Sequence, residues 1–422
     1  MLALARFYAR PQTVDRILAG WLGPQIDRYV EWTAARGYSA RTIYRQVPVV
    51  VSFGEFARAQ GALQVSELPL YVAPFLEHCG RRRKDVTVRQ RRTFLSQMRA
   101  PVEGLLSLVL PDFIDTRTRL RLRLPFETSV PGFFQYLEKE RGLRAESMKL
   151  HRHHLRAFER FMDRAGVESL KDLSPVTLSA FVADSGMRIG GGSMQGRCTV
   201  LRTFLRYLFR EGITRQDLSH AVERRHSYRL VGLPRAISWP EVERVLAAVD
   251  RRTPSGKRDY AVLLLLVTYG LRARELAALT LDDLDWKRER IHVPERKGDH
   301  STVYPLSTAV GQALAEYLHD GRPQVADRRV FFRVLAPISP MSAHGISLIA
   351  TTWLRRAGVT VRRAGSHTLR HTCVQRLVDA GFSFKTIGDY VGHRAPESTQ
   401  IYGKVSVEAL RELALGDGEE AL

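Results

Sequence analysis

Two stretches of this chain repeat each other's punctuation at a distance of 105 residues. Arg36, Gly37, Ala40, Phe53, Phe56, Gly61 and Leu68 return without a gap as Arg141, Gly142, Ala145, Phe158, Phe161, Gly166 and Leu173. Between them Tyr29 stands opposite Phe134, Val50 opposite Leu155 and Glu67 opposite Asp172. Glycines and core aromatics in shared register mark a duplicated domain, and two copies do not make a solenoid. The local period is helical: in "PQIDRYVEWTAARG", Ile26, Tyr29, Val30 and Thr33 fall on one stripe. The pattern predicts two small helical units, residues 1–115 and 125–222. Residues 1–20 read as a leader without strong signals.

The segment "DTRTRLRLRLP" (115–125) lies between the copies. Its Arg/Leu alternation reads as a strand or as an extended linker tracking a phosphate backbone. "ERRHSYRLVGLPRAIS" loses helical period and reads as a linker over 223–237. A third domain, 238–422, opens with Ser238 as N-cap and Glu241 three residues on, a capping box. Helical patterns cover 257–270 and 272–279. The period then changes to two around Trp286, Ile291 and Val293, and "RKGDH" supplies a turn, so a short antiparallel sheet is expected. Helices resume at 307–320, 342–357, 366–380 and 383–391. The last apolar run, "VSVEALRELAL" (405–415), fits packing in its own domain or docking on a neighbouring protomer.

Charge narrows the partners. The chain has 422 residues and a formal net charge of +21. A surplus of that size favours a polyanion, nucleic acid first. Arginine outnumbers lysine, which suits bidentate phosphate contacts. Basic stretches stand at 81–92, 117–124 and 149–160, each able to be a solvated face or a phosphate-facing one. Candidate DNA contacts are Arg81, Arg82, Arg83, Lys84, Arg89, Arg119 and Arg121, with Gln195, Arg197 and Arg202 on a helix entering a groove. Cys79, Cys198 and Cys373 are isolated and form no zinc or disulfide pattern. "YAVLLLLVTYGL" is too short to cross a bilayer. A cytoplasmic protein with no membrane partner is expected.

The third domain orders a set of reactive side chains: Arg272 in "GLRARELAAL", Lys297 in "PERKGDHS", His367 and Arg370 in "SHTLRHT", and His393 nine residues before Tyr402 in "VGHRAPESTQIYG". Singly, each fits a bland role: a surface arginine, a solvated histidine, a packed tyrosine. Together, two arginines and a lysine can grip one phosphate. Histidines can move protons near neutral pH. A tyrosine hydroxyl can attack phosphorus and form an ester. With a pKa near 10, roughly a thousandth of free tyrosine is ionised at pH 7, so activation needs about 4 kcal/mol. The sequence shows neither a glycine loop for ATP nor an acidic cluster for two Mg²⁺ ions. No metal and no cofactor are expected.

These boxes, in this order and spacing, resemble the tyrosine site-specific recombinases, the phage integrase family. The likeness is strongest over 235–415 and weaker over 125–215. It implies a mainly α chain: two helical, SAM-like DNA-binding units, duplicated, ahead of a mixed α/β catalytic domain with a small antiparallel sheet. It implies that Arg272 and Arg370 clamp the scissile phosphate and that Tyr402 attacks it to give a 3′-phosphotyrosine. Lys297 would protonate the leaving 5′-oxygen. His367 would assist at the tyrosine and His393 would bond the phosphate. Glu275 matches a position read as structural support. "VGH" replaces the usual "LGH", and the lysine turn departs from the common pattern. The implied partners are double-stranded recombination sites with inverted repeats, further copies (a dimer on one site, a tetramer in the synapse) and accessory recombinase subunits. Two alternatives remain: a type IB topoisomerase, and a DNA-binding architectural subunit with a dead catalytic domain.

Overall fold

The computed structural model describes residues 2–81, 87–223, 236–296 and 300–392. The chain divides into two compact units, residues 1–61 with 230–422 and residues 62–229.

Residues 1–61 form α1 (Pro11–Ala19), α2 (Gly23–Ala35) and α3 (Ala40–Ala59), each packed on the next. Pro11 opens α1, where its missing N–H costs nothing. The expected leader is instead part of the fold. Leu4, Val14 and Ile17 are buried, and the Leu4 N–H donates to Asp27 Oδ1 at 2.8 Å. Of the arginines that break its apolar run, Arg6 ends a 3₁₀ turn (Leu4–Arg6), Arg10 stands just before α1 and Arg16 lies on the exposed side of α1.

Residues 62–229 hold α4 (Leu68–Arg81), α5 (Val88–Val109), α6 (Thr116–Leu122), α7 (Phe133–Gln135, prolonged by a π turn, Tyr136–Glu140), α8 (Ala145–Ala165), α9 (Pro175–Arg188) and α10 (Gly191–Arg210). Phe126, Phe133, Phe158, Phe181 and Phe204 centre the core of α7–α10. The Arg/Leu segment is neither strand nor linker but α6. Asp115 caps it, Oδ1 accepting from the Thr118 N–H at 2.9 Å, and that cap fixes a helical start.

The duplication is visible element by element. The starts of α1, α3 and the 3₁₀ turn Val65–Glu67 recur 105 residues on as α6, α8 and the turn Leu170–Asp172. The orders α4–α5 and α9–α10 also match, within two residues of that offset. Gly37 and Gly142 (φ 77° and 58°), and Gly61 and Gly166 (φ 96° and 67°), are left-handed at the same helix ends. A side chain there is strained, which is why the glycines recur. The repeat thus runs from α1 to α5 and from α6 to α10, further than the matching residues alone.

The third segment opens with α11 (Trp239–Ala247), whose Ser238–Glu241 capping box forms as expected. The apolar α12 (Pro254–Tyr269) runs through the core and is followed by α13 (Ala273–Ala278). Strands β1 (Leu284–Asp285), β2 (Arg290–Arg296) and β3 (His300–Pro305) make an antiparallel sheet in that order. Ile291 pairs with Leu284 and Tyr304, so all three enter the core. Trp286 is exposed beyond β1. Then come α14 (Thr308–Asp320), α15 (Ala343–Arg356), α16 (Ser366–Asp379) and α17 (Phe384–Val391). These bounds follow the sequence reading closely because periodicity and caps agree at each element. Among the described residues no helix is long and apolar enough to cross a membrane.

Candidate active site

The end of α12 sets the site. Gly270 is left-handed there (φ 60°), and a Cβ would lie 3.1 Å from Val391 and 3.2 Å from Cys373. The chain can therefore turn close under α16 and α17 only with glycine at this position. Two residues on, Arg272 leads into α13. Its backbone N–H and its Nη1 both donate to Glu275, at 2.8 Å each. Glu275 is buried, so the ion pair holds the guanidinium in one pose.

Arg370 comes from α16 and is only 5% exposed. It donates from Nη1 to the Gly270 carbonyl and from Nη2 to the Val391 carbonyl, the latter at 2.6 Å. Arg272 Nη2 donates to the next carbonyl, Gly392, at 2.7 Å. The Tyr304 hydroxyl donates to the carbonyl before, Tyr390. Three successive carbonyls at the C-terminal end of α17 are thus capped by β3, α16 and the loop before α13. Helix ends leave such carbonyls unpaired and carry partial negative charge, so cationic donors are the natural caps. The result converges the first and second arginine boxes on the peptides immediately before His393.

Tyr390 takes the packed role. Its hydroxyl donates to the Thr268 carbonyl at 3.2 Å and its ring meets Tyr304 edge-on, centroids 5.0 Å apart. His367 is exposed in the first turn of α16, with the His371 ring 6.4 Å away. Burial pushes the Cys373 thiol up to about 12, against the pull of Arg370 and Arg376, so it stays a neutral packing group. Lys297, His393 and Tyr402 lie outside the described residues.

The chain matches the model of the phage integrase family over residues 236–408 and that of the phage integrase N-terminal SAM-like domain over 130–212. A provisionally named integrase/recombinase, y4rA of Sinorhizobium fredii (strain NBRC 101917 / NGR234), is 33% identical over 92% of each chain. The chain belongs to the tyrosine recombinases of the phage integrase family. The recombinase is also 29% identical to the tyrosine recombinase XerD of Listeria monocytogenes serotype 4b (strain F2365), over 67% of this chain and 96% of that one. The solved structure of the XerH recombinase on palindromic difH, a post-cleavage complex, shares the fold at a TM-score of 0.53 and 18% identity, covering 68% of this chain and 84% of that one. The recombinase is accordingly a DNA breaking-and-rejoining enzyme of site-specific recombination.

Of the candidate DNA contacts, Arg81, Arg89, Arg119 and Gln195 are exposed. Arg202 is half-buried and donates from Nη1 to the Val222 carbonyl at 3.2 Å. Arg197 is a correction: it faces inward, 8% exposed, donating to Ser185 Oγ at 2.8 Å and His154 Nδ1 at 3.4 Å. It sits on the buried stripe of α10 with Met194, Leu201, Leu205 and Leu208, so it supports the helix from behind. Arg82, Arg83 and Lys84 lie outside the described residues, and for Arg121 only the backbone is described.

A cluster that the sequence showed only as a basic stretch takes shape on α8. Lys149, Arg152, His153, Arg156 and Arg160 follow helical spacing and line one groove of about 770 Å³ with Leu120 and Arg123. Among the described residues of the lining Glu159 is the one acid, and it is engaged by Arg123 Nη2 at 3.2 Å and the Phe126 N–H at 2.9 Å. The groove is therefore a dense cationic surface suited to phosphates.

Proposed function

We propose that the recombinase moves a mobile DNA element by cleaving at paired recombination sites through Tyr402. Arg272 and Arg370 hold the scissile phosphate, with His393 bonding a non-bridging oxygen. The Tyr402 Oη attacks phosphorus as its proton passes to His367 or to water. The P–O5′ bond breaks, Lys297 protonates the departing 5′-oxygen, and a 3′-phosphotyrosine remains. A 5′-hydroxyl from a partner strand reverses the step. One phosphodiester replaces another, so the exchange is near thermoneutral and uses no nucleotide.

What supports this reading is the pair of arginine bonds to the Val391 and Gly392 carbonyls. They tie the two arginines to the two residues preceding His393, in a chain where Tyr402 follows nine residues later. In this reading Arg89, Arg119, Gln195 and the α8 cluster contact the duplex, mostly at phosphates. The working assembly is a dimer on one inverted-repeat site and a tetramer in the synapse, in the cytoplasm. Related recombinase subunits are potential additional members. A relaxing topoisomerase is the second reading, and the recombinase relatives favour exchange over relaxation.

The test is a nicked suicide substrate. The wild-type chain should give a covalent protein–DNA adduct at the 3′-phosphate, and Tyr402→Phe should bind the same DNA and give none. An adduct that persists in Tyr402→Phe overturns the assignment. Two-site exchange against supercoil relaxation then separates recombinase from topoisomerase.

A further inference from the structure

Helix α16 carries His367 and Arg370, yet it starts without a side-chain cap of its own. The neighbouring α15 and α17 are capped by Ser342 and Ser383, whose hydroxyls accept from the Gly345 and Thr386 N–H groups at 3.1 Å each. At the same place α16 has Gly365, which has no side chain to offer. The oxygen comes from α15 instead. Ser347 Oγ accepts from the N–H of Ser366, the first residue of α16, at 3.4 Å. One turn further along α15 the Thr351 hydroxyl donates to the Ala364 carbonyl at 3.0 Å. From α16 itself the Thr368 hydroxyl donates to the Arg363 carbonyl at 3.2 Å, and the Thr368 N–H to the Gly365 carbonyl at 3.0 Å. Hydroxyls of two helices therefore hold residues 363–368. Ser366 and Thr368 are buried and His367 between them is exposed, so fixing this turn fixes where the imidazole stands out.

Gly365 and Ser347 belong together. The Gly365 backbone is extended (φ 164°), a conformation open to any residue, so the turn itself does not demand glycine. Space does. A Cβ at 365 would lie 3.1 Å from Ser347 Oγ and 3.7 Å from Thr351 Oγ1. A capping side chain on the loop and the cap supplied by α15 compete for one place. We propose that Ser347 is a positioning residue for DNA cleavage, which holds the first turn of α16 so that His367 meets the attacking tyrosine. Arg370 does not need this hold, because the Gly270 and Val391 carbonyls fix its guanidinium. The inference rests on the part given to His367 in proton transfer.

The test measures single-turnover adduct formation by the full chain on the nicked suicide substrate, with DNA affinity and urea unfolding followed alongside. Ser347→Ala should slow adduct formation about tenfold and leave DNA affinity within about twofold. Gly365→Ser should slow the wild-type chain, where the new side chain meets Ser347 Oγ. In the Ser347→Ala chain it should instead restore the rate to within about threefold of wild type, because there it caps α16 itself. His367→Gln should slow the reaction about 100-fold, and adding Ser347→Ala to it should cost less than about twofold more. A wild-type rate in Ser347→Ala, the same loss from Ser347→Ala with and without His367, or a Gly365→Ser effect of one sign in both chains overturns the proposal. An unaltered rate in His367→Gln overturns the reading of His367 and this inference with it.

Discussion

The α1/α3 groove and the α6/α8 groove lie on matching helices and are lined differently, the first mostly apolar and the second mostly basic. Both copies keep the buried aromatic of the long helix (Phe53 and Phe158, each fully buried) and both keep left-handed glycines at the same turns. On the long helix the second copy's lining carries Arg152, His153, Arg156 and Arg160, and the first has Val47, Pro48, Val51 and Glu55 at the matching positions, with Arg16 and Arg58 elsewhere in its lining. The scaffold is thus set by a few core and turn positions. The residues at i, i+1, i+4 and i+8 of one helix face are left to choose the partner. Overall basicity hides this, because a net charge does not say which copy holds it.

The comparison can be broken at its strongest point first. Phe53→Ala and Phe158→Ala should each lose about 3–5 kcal/mol of stability, read from urea unfolding. A loss at one position only would mean the two cores are not equivalent. Next come the surfaces. Arg156→Glu with Arg160→Glu should weaken DNA binding about 100-fold and lower the salt slope by about 2. Val51→Glu should leave both unchanged in the same assay, and DNA binding that falls equally in both variants erases the distinction.

The smallest effect concerns pH. Burial, then Arg197 and the neighbouring His153 and His151, push His154 down to about 4. Its folded form is neutral, while the unfolded residue titrates near 6.5. Stability should therefore be full above about pH 6.5 and decline as pH falls toward 4, because the unfolded chain binds the proton more readily. The first copy carries Val49 at the equivalent place. Melting temperatures at pH 7.5 and 5 should show the slope in the wild-type chain and a flatter one in His154→Gln.

Much of this was legible in the sequence. The helices of the catalytic segment follow from caps and period, and the duplication follows from glycines and phenylalanines in register. Three features were not. The Arg/Leu alternation of 117–124 mimics a strand, and only the Asp115 side chain on the Thr118 N–H decides for helix. The first twenty residues bury Leu4, Val14 and Ile17, a pattern too short to stand out from its arginines. Arg197 reads as a groove contact by charge, although its spacing from Met194 and Leu201 already placed it on the buried stripe. At the active site the order of the boxes was visible, but the backbone carbonyls that receive the arginines were not, since backbone partners leave no residue signature.

Those carbonyls make the two arginines interdependent. Arg272 and Arg370 are encoded far apart, yet they share adjacent peptide units as anchorage. A displacement of Gly392 would take one partner from Arg272 directly and reach Arg370 through the adjoining Val391 carbonyl, while Glu275 and the Gly270 carbonyl keep a second hold on each. One helix end thus serves as a common anchor for two side chains encoded far apart, an economy supplied by ordinary helix capping.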